Sequence, residues 1–165
     1  MRHLLLLRHA KAARPEGVRD HDRPLTGRGR RDAELMGRFL TAAEGAPDLV
    51  VTSTAERAKA TAELAKEAGA WRAAVRETPA LYEATTERAL DIVRSLERSR
   101  ETVMLVGHEP TWSTLATLLV GGGRLRLPTA GLAHVAFDCA DWTEVGPRAG
   151  VLYALIIPAL LRGKS

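Results

Sequence analysis

Three short runs in this chain are apolar at every position, and each stops abruptly: Leu4 to Leu7 before Arg8-His9, Leu49 to Val51 before Thr52-Ser53, and Val103 to Val106 before Gly107-His108. A strand with one wet face alternates apolar and polar residues. A run with no polar member belongs to a strand covered on both sides, as in a parallel sheet between two helical layers. The stretches between the runs have helical spacing. Ala33, Met36, Leu40 and Ala43 recur after Thr26-Gly27 until Gly45-Ala46-Pro47 stops them. Ala58, Ala62 and Ala65 give a small-residue face suited to close packing, and Leu90, Val93 and Leu96 point inward from a helix over about Thr86 to Leu96.

Ser53 with Glu56 three residues on reads as a capping box that starts the helix after the second run. Pro110 suits the first turn of a helix carrying Leu115, Leu118 and Leu119. A short strand is expected around Val75. Leu132 to Phe137 and Val151 to Ile157 read as two more strands that pair near the sheet edge, joined through turn residues around Gly146-Pro147. The expected fold is α/β: a single-domain three-layer sandwich whose mostly parallel central sheet is flanked by helices, with an antiparallel strand near the edge. A chain of 165 residues has room for one domain, spanning 1–165.

Hydrophobic residues at 45% and charged residues at 27% exclude a disordered or fibrous chain. Cys139 is alone, so no internal disulfide is possible, which fits a reducing compartment and a cytoplasmic location. The apolar start is cut short by Arg8-His9, before the roughly seven residues a signal peptide needs. The apolar tail from Val151 to Leu161 contains Pro158 and is shorter than the roughly 20 residues of a bilayer span. No export signal, membrane span or membrane partner is expected.

The candidate chemistry lies at the ends of the apolar runs. Arg8-His9 follows the first strand, Arg57 lies in the first turn after the second, and His108 follows the third run. Open α/β sheets bind ligands outside the carboxyl ends of their strands, where helix N-termini also gather, so these residues converge there although they lie far apart in sequence. Arg57 is a cation at the positive end of a helix, a local mismatch of the kind that marks functional sites. Two guanidiniums, two imidazoles and free helix amides clasp a phosphoryl group, whose charge is spread over its oxygens. Among these groups only a neutral imidazole is a competent nucleophile near neutral pH. His9 is the better candidate, because a backbone carbonyl at the end of the buried strand can fix its tautomer and free the other nitrogen for attack on phosphorus. His108 then donates a hydrogen bond to the transferring group.

Other ligand classes fit less well. The net charge is +4, and 24 Lys and Arg include 20 Arg, which suits anionic ligands. Nucleic acid is not an expected partner, since the two Phe, three Trp and two Tyr do not interleave with basic residues. Gly121-Gly122-Gly123 lacks the lysine of a phosphate loop. The histidines at 3, 9, 21, 108 and 134 form no local ligand pair, and His108-Glu109 continues to Trp112 where a zinc helix requires histidine, so no metal is expected.

Leu7-Arg8-His9-Ala10-Lys11-Ala12 resembles the arginine-histidine signature of the histidine phosphatase (phosphoglycerate mutase-like) superfamily. Asp22-Arg23-Pro24-Leu25-Thr26, Ser53-Thr54-Ala55-Glu56-Arg57-Ala58 and Val106-Gly107-His108-Glu109-Pro110-Thr111 are similar to segments of its small SixA-type phosphohistidine phosphatase branch. They run in order from the first strand to the Pro110 helix, a span of about two-thirds of the chain. The resemblance implies that His9 is transiently phosphorylated, that Arg8, Arg57 and His108 hold the phosphoryl group, and that no metal or cofactor takes part. It also implies an acidic proton donor in the loop after the third strand, a position matched by Glu83 in Leu81-Tyr82-Glu83, with Glu87 nearby. The expected activity is removal of a phosphoryl group from phosphohistidine in a protein, by a monomer. The alternative is a small phosphorylated metabolite whose second anionic group is gripped by Lys11, Arg14 and Arg23. A non-catalytic phosphate-binding module is the remaining reading.

Overall fold

In the computed structural model, which describes residues 1–162, the apolar runs are the centre of one six-stranded sheet. The last three residues of the domain expected over 1–165 lie outside the described residues. The strands are β1 (Arg2–Arg8), β2 (Leu49–Ser53), β3 (Ala74–Thr78), β4 (Thr102–Gly107), β5 (Leu132–Phe137) and β6 (Gly150–Ile156), in the order β3-β2-β4-β1-β5-β6. β1 pairs parallel with β4, and β2 pairs parallel with both β4 and β3. β5 alone runs against its neighbours, antiparallel to β1 and β6. This is the expected three-layer sandwich, with β5 one place in from the edge.

The runs lack polar residues because both of their faces are covered. Leu4, Leu6, Leu49, Val51, Val103 and Leu105 pack on one face, against α3 (Thr86–Arg94) and α4 (Thr111–Val120). Leu5, Leu7, Val50, Met104 and Val106 pack on the other, against α1 (Gly27–Ala42) and α2 (Glu56–Gly69). A short final helix, α5 (Pro158–Leu161), follows β6. No helix among the described residues is long and apolar enough to cross a membrane.

Several local expectations are corrected. The capping box at Ser53 does not form: Ser53 is still extended and paired with Thr78 of β3, so α2 starts later, with Ala55 as its N-cap and no side-chain cap. Pro110 is the N-cap of α4 rather than its first residue, and Glu109 Oε1 accepts from Ser113 N in that first turn. α3 ends at Arg94, leaving Leu96 beyond the helix but packed against the core. Ala43 is the exposed C-cap of α1, and β6 sits one residue earlier than the Val151 to Ile157 reading. α1 does begin after Thr26, whose hydroxyl accepts from Gly29 N at 3.0 Å.

The long segment between β1 and α1 is a loop, as its lack of period implies, but it is tied down. It contains a 3-10 turn at Asp20–Asp22 and a bridge between Ala12 and Leu25. Lys11 O accepts from Thr26 N at 2.8 Å, and Gly29 approaches the same carbonyl so closely that a Cβ there would lie 2.2 Å from it.

α1 and α2 also meet backbone to backbone: a Cβ on Gly37 would lie 2.0 Å from Ala65 O. Helix propensity alone makes Gly37→Ala stabilising by about 1 kcal/mol. The close approach reverses the sign, and the variant is expected to lose about 2 kcal/mol or more, measured as a lowered midpoint of urea unfolding. A variant as stable as its parent would contradict this packing.

Candidate active site

Parallel pairing sets the geometry of the site. Arg8 is the register partner of Gly107, and Thr52 of Val106, so the ends of β1, β4 and β2 lie side by side. The residues that follow β1 and β4, with Arg57 from α2 after β2, line one cavity of about 790 Å³. Arg8, His9, Arg57, His108 and Glu83 all face it, so the structure brings together every residue singled out from the sequence.

The position of His9 is fixed through its backbone and its ring. Its N–H donates to Gly107 O at 2.9 Å, and its carbonyl accepts from Ala130 N at 3.2 Å. Nδ1 lies 2.8 Å from Ala10 O, and since a carbonyl only accepts, Nδ1 carries the proton and Nε2 the lone pair. That lone pair faces Arg57 Nε at 3.3 Å. Burial is the main reason its pKa falls to about 3; the Ala10 carbonyl opposes the drop, and His108, Arg57 and Arg8 add to it. The ring is therefore neutral at physiological pH.

His108 stands beside it, with ring centroids 5.2 Å apart. Its Nε2 is 2.8 Å from Ser53 Oγ, so the serine misread as a helix cap instead orients an imidazole. Burial lowers its pKa to about 4, with Arg57 the next cause and Asp20 opposing. Tyr82 closes the other side of this ring, centroid to centroid 5.9 Å.

Arg57 is only 6% exposed. Its Nη1 donates to Asp20 O at 2.6 Å and its Nη2 to Asp20 Oδ2 at 3.0 Å. The mismatch between this cation and the helix start is thus met by a carboxylate from the β1–α1 loop. Arg8 donates through Nη1 to Leu127 O at 2.9 Å, while its Nε is buried with no hydrogen-bond partner among the described residues. Arg8 lines the cavity, and a guanidinium there suits an oxyanion.

Glu83 is exposed at the cavity rim with φ +54°, a left-handed conformation uncommon for a residue with a side chain. Glu87 lines the same rim. Lys11 and Arg14 do so as well and are exposed, whereas Arg23 is engaged by Asp20 Oδ1 at 3.0 Å and Ala13 O at 2.9 Å.

Sequence reasoning missed Asp20, Tyr82, Ser53 in its present role, and two supports beneath the site. Thr61 Oγ1 accepts from Ala10 N at 2.9 Å and donates to Arg57 O at 2.6 Å, linking the segment that carries His9 to the helix that carries Arg57. Trp112 Nε1 donates to Leu7 O at 2.9 Å, and its indole fills the space over Gly107, where a Cβ would lie 2.6 Å away. His3 and His134 pair with each other at 2.9 Å elsewhere on the sheet, and no group of three or more metal-ligating side chains occurs among the described residues.

Comparison with known proteins shows the family. The family model for the histidine phosphatase superfamily (branch 1) matches residues 4–87, which takes in Arg8, His9, Arg57 and Glu83 and ends before His108. A protein of Mycobacterium tuberculosis described as uncharacterised is 36% identical over 163 residues, covering 92% of this chain and 99% of the relative. A solved structure from Nakamurella multipartitia, described as a candidate phosphohistidine phosphatase SixA, has a TM-score of 0.81 at 32% identity, covering 95% of this chain and 96% of its own. Another described in the same way, from Agrobacterium tumefaciens, has a TM-score of 0.80 at 28% identity, covering 95% and 98%.

The depressed histidine pKa values have a measurable consequence. Both imidazoles take up a proton less readily in the folded chain than at the ordinary value of 6.5, so the unfolded chain protonates first as pH falls. Their contribution to stability is complete above pH 6.5 and is lost as pH falls through the range from 6.5 toward 4 and 3. Side-chain NMR is expected to show His9 and His108 neutral at about pH 5.5, with His9 protonated on Nδ1. Ordinary midpoints between about 6 and 7 for these two rings would contradict the electrostatic account.

Proposed function

Since the chain belongs to the histidine phosphatase superfamily (branch 1) and is an enzyme of the phosphatase class, we propose that it hydrolyses phosphohistidine in a protein through a phosphoryl intermediate on His9. The observation that carries this reading is the pinning of His9 Nδ1 on Ala10 O, which leaves Nε2 facing a cavity lined by Arg8, Arg57 and His108.

In the first step Nε2 attacks phosphorus, the Nε2–P bond forms, and the bond from phosphorus to the leaving atom breaks. For the lone pair to attack, a phosphoryl oxygen must take over the Arg57 Nε–H from the imidazole while the terminal nitrogens stay on Asp20. Arg8 and His108 take other oxygens, so that preorganised charge meets the charge of transfer. In the second step water attacks, the Nε2–P bond breaks, and phosphate departs with His9 again neutral. Nothing in these steps requires a metal.

Glu83 is the proton donor to the leaving group in this reading. An alkoxide needs that proton, whereas a protonated phosphohistidine leaves as neutral imidazole. Between β3 and α3 there is only a short 3-10 turn at Pro79–Leu81, so no inserted helix roofs this side of the cavity, which supports a macromolecular substrate. Likeness to structures described as phosphohistidine phosphatases supports the same choice. The second reading, a small phosphorylated metabolite, draws on exposed Lys11 and Arg14 at the rim; Arg23, tied to Asp20 and Ala13, no longer serves it.

His9→Ala is expected to lower turnover by about a thousandfold or more, and full turnover in that variant would end the proposal. Assays on a phosphohistidine protein against sugar, nucleotide and glycerate phosphates decide the substrate class. Strong preference for one of the small phosphates with failure on the protein would favour the second reading. Glu83→Gln is expected to slow phosphate monoesters by about a hundredfold and phosphohistidine far less. Equal loss on both would remove the acid assignment.

A further inference from the structure

Asp20 belongs to the 3-10 turn of the β1–α1 loop, yet it is tied twice to Arg57, 37 residues along the chain. Both terminal nitrogens of Arg57 donate to it, one to the backbone oxygen and one to Oδ2, while the third donor, Nε–H, faces His9. A guanidinium is planar and rigid, so anchoring both terminal nitrogens sets which edge meets the nucleophile and the incoming anion.

The anchor is itself held. Oδ1 accepts from Arg23 Nη1 at 3.0 Å, and Oδ2 also accepts from Tyr82 OH at 3.0 Å. Arg23 is steadied in turn by Ala13 O, and Tyr82 adjoins Glu83. These donors, Arg23 first among them, keep the Asp20 carboxyl ionised with a pKa of about 2, so it carries full charge throughout the working range. With the imidazoles of His9 and His108 neutral, the cations nearest the cavity floor are Arg8 and Arg57, and Asp20 offsets one of them.

We propose that Asp20 is a positioning residue that orients the Arg57 guanidinium and offsets its charge, so that the site releases phosphate instead of retaining it. The inference rests on the reading of Arg57 as a phosphoryl-binding group. A hydrolase must let its product anion go, and an uncompensated buried guanidinium beside Arg8 holds phosphate more tightly than a guanidinium already paired with a carboxylate. Asp20 also lines the cavity, and in this proposal it acts through Arg57.

The test is calorimetric titration of inorganic phosphate into the full chain, with thermal unfolding recorded for each variant. Asp20→Asn keeps an oxygen acceptor for Arg57 and Tyr82 but removes the charge. It is expected to tighten phosphate binding about fivefold, a modest Coulomb effect because the carboxylate is half-exposed. Asp20→Glu, which restores the charge, is expected to bind phosphate within about twofold of the parent. In an Arg57→Ala background, Asp20→Asn should change the constant by less than about twofold, because the partner through which it acts is gone.

Unchanged or weaker phosphate binding in Asp20→Asn overturns the proposal, as does equal tightening with and without Arg57. A lowered unfolding temperature with unaltered phosphate affinity would assign Asp20 a purely structural role and also overturn it. Arg57→Ala alone distinguishes the underlying reading: if it fails to weaken phosphate binding, the assignment of Arg57 to the phosphoryl group falls, and this inference with it.

Discussion

The parallel pairing of β1 with β4 and of β4 with β2 decides which residues can meet at the head of the sheet. Parallel neighbours end on the same side, so residues following three separate apolar runs arrive at one cavity without any local sequence relationship. Core packing keeps that alignment. Each run contributes alternate side chains to two helical layers, and a one-residue slip would exchange the faces of every strand involved. Trp112 reaches between the ends of β1 and β4 to bond the Leu7 carbonyl, joining the core to the floor of the site.

On that frame the proposed chemistry depends on keeping an imidazole uncharged among cations. Burial and the neighbouring Arg57, His108 and Arg8 disfavour protonation, while the Ala10 carbonyl holds the single ring proton on Nδ1. The two arginines that add to the burial effect on this pKa are also those proposed to bind oxygens, so in that reading a neutral nucleophile and an anion-binding site come from one arrangement. Ser53 and Asp20 each orient one member of it, His108 and Arg57 respectively.

What was legible in the sequence follows from physical range. The three apolar runs announce doubly covered strands, and the residues at their ends announce a site, because both signals are local and the sheet supplies the convergence. Asp20 gave no such signal: it lies in a polar loop without period, and its meaning comes from a guanidinium on α2 that only the folded loop reaches. The nearest hint was the Asp22-Arg23-Pro24-Leu25-Thr26 segment two residues on. The spacing of Ser53 to Glu56 suits a helix cap, but pairing with Thr78 keeps it extended and frees its hydroxyl for His108. The left-handed backbone at Glu83 has no glycine to mark it.

The central claim is that the lone pair on His9 Nε2 is the attacking group. Rapid quenching of the enzyme during turnover of a labelled phosphoryl substrate, followed by mass-spectrometric mapping under alkaline conditions, tests it most directly. The account predicts an acid-labile phosphoramidate on His9, bonded through Nε2 because Nδ1 is committed to Ala10. Phosphate recovered on Nδ1, on another residue such as Ser53, or as an acid-stable ester would contradict it.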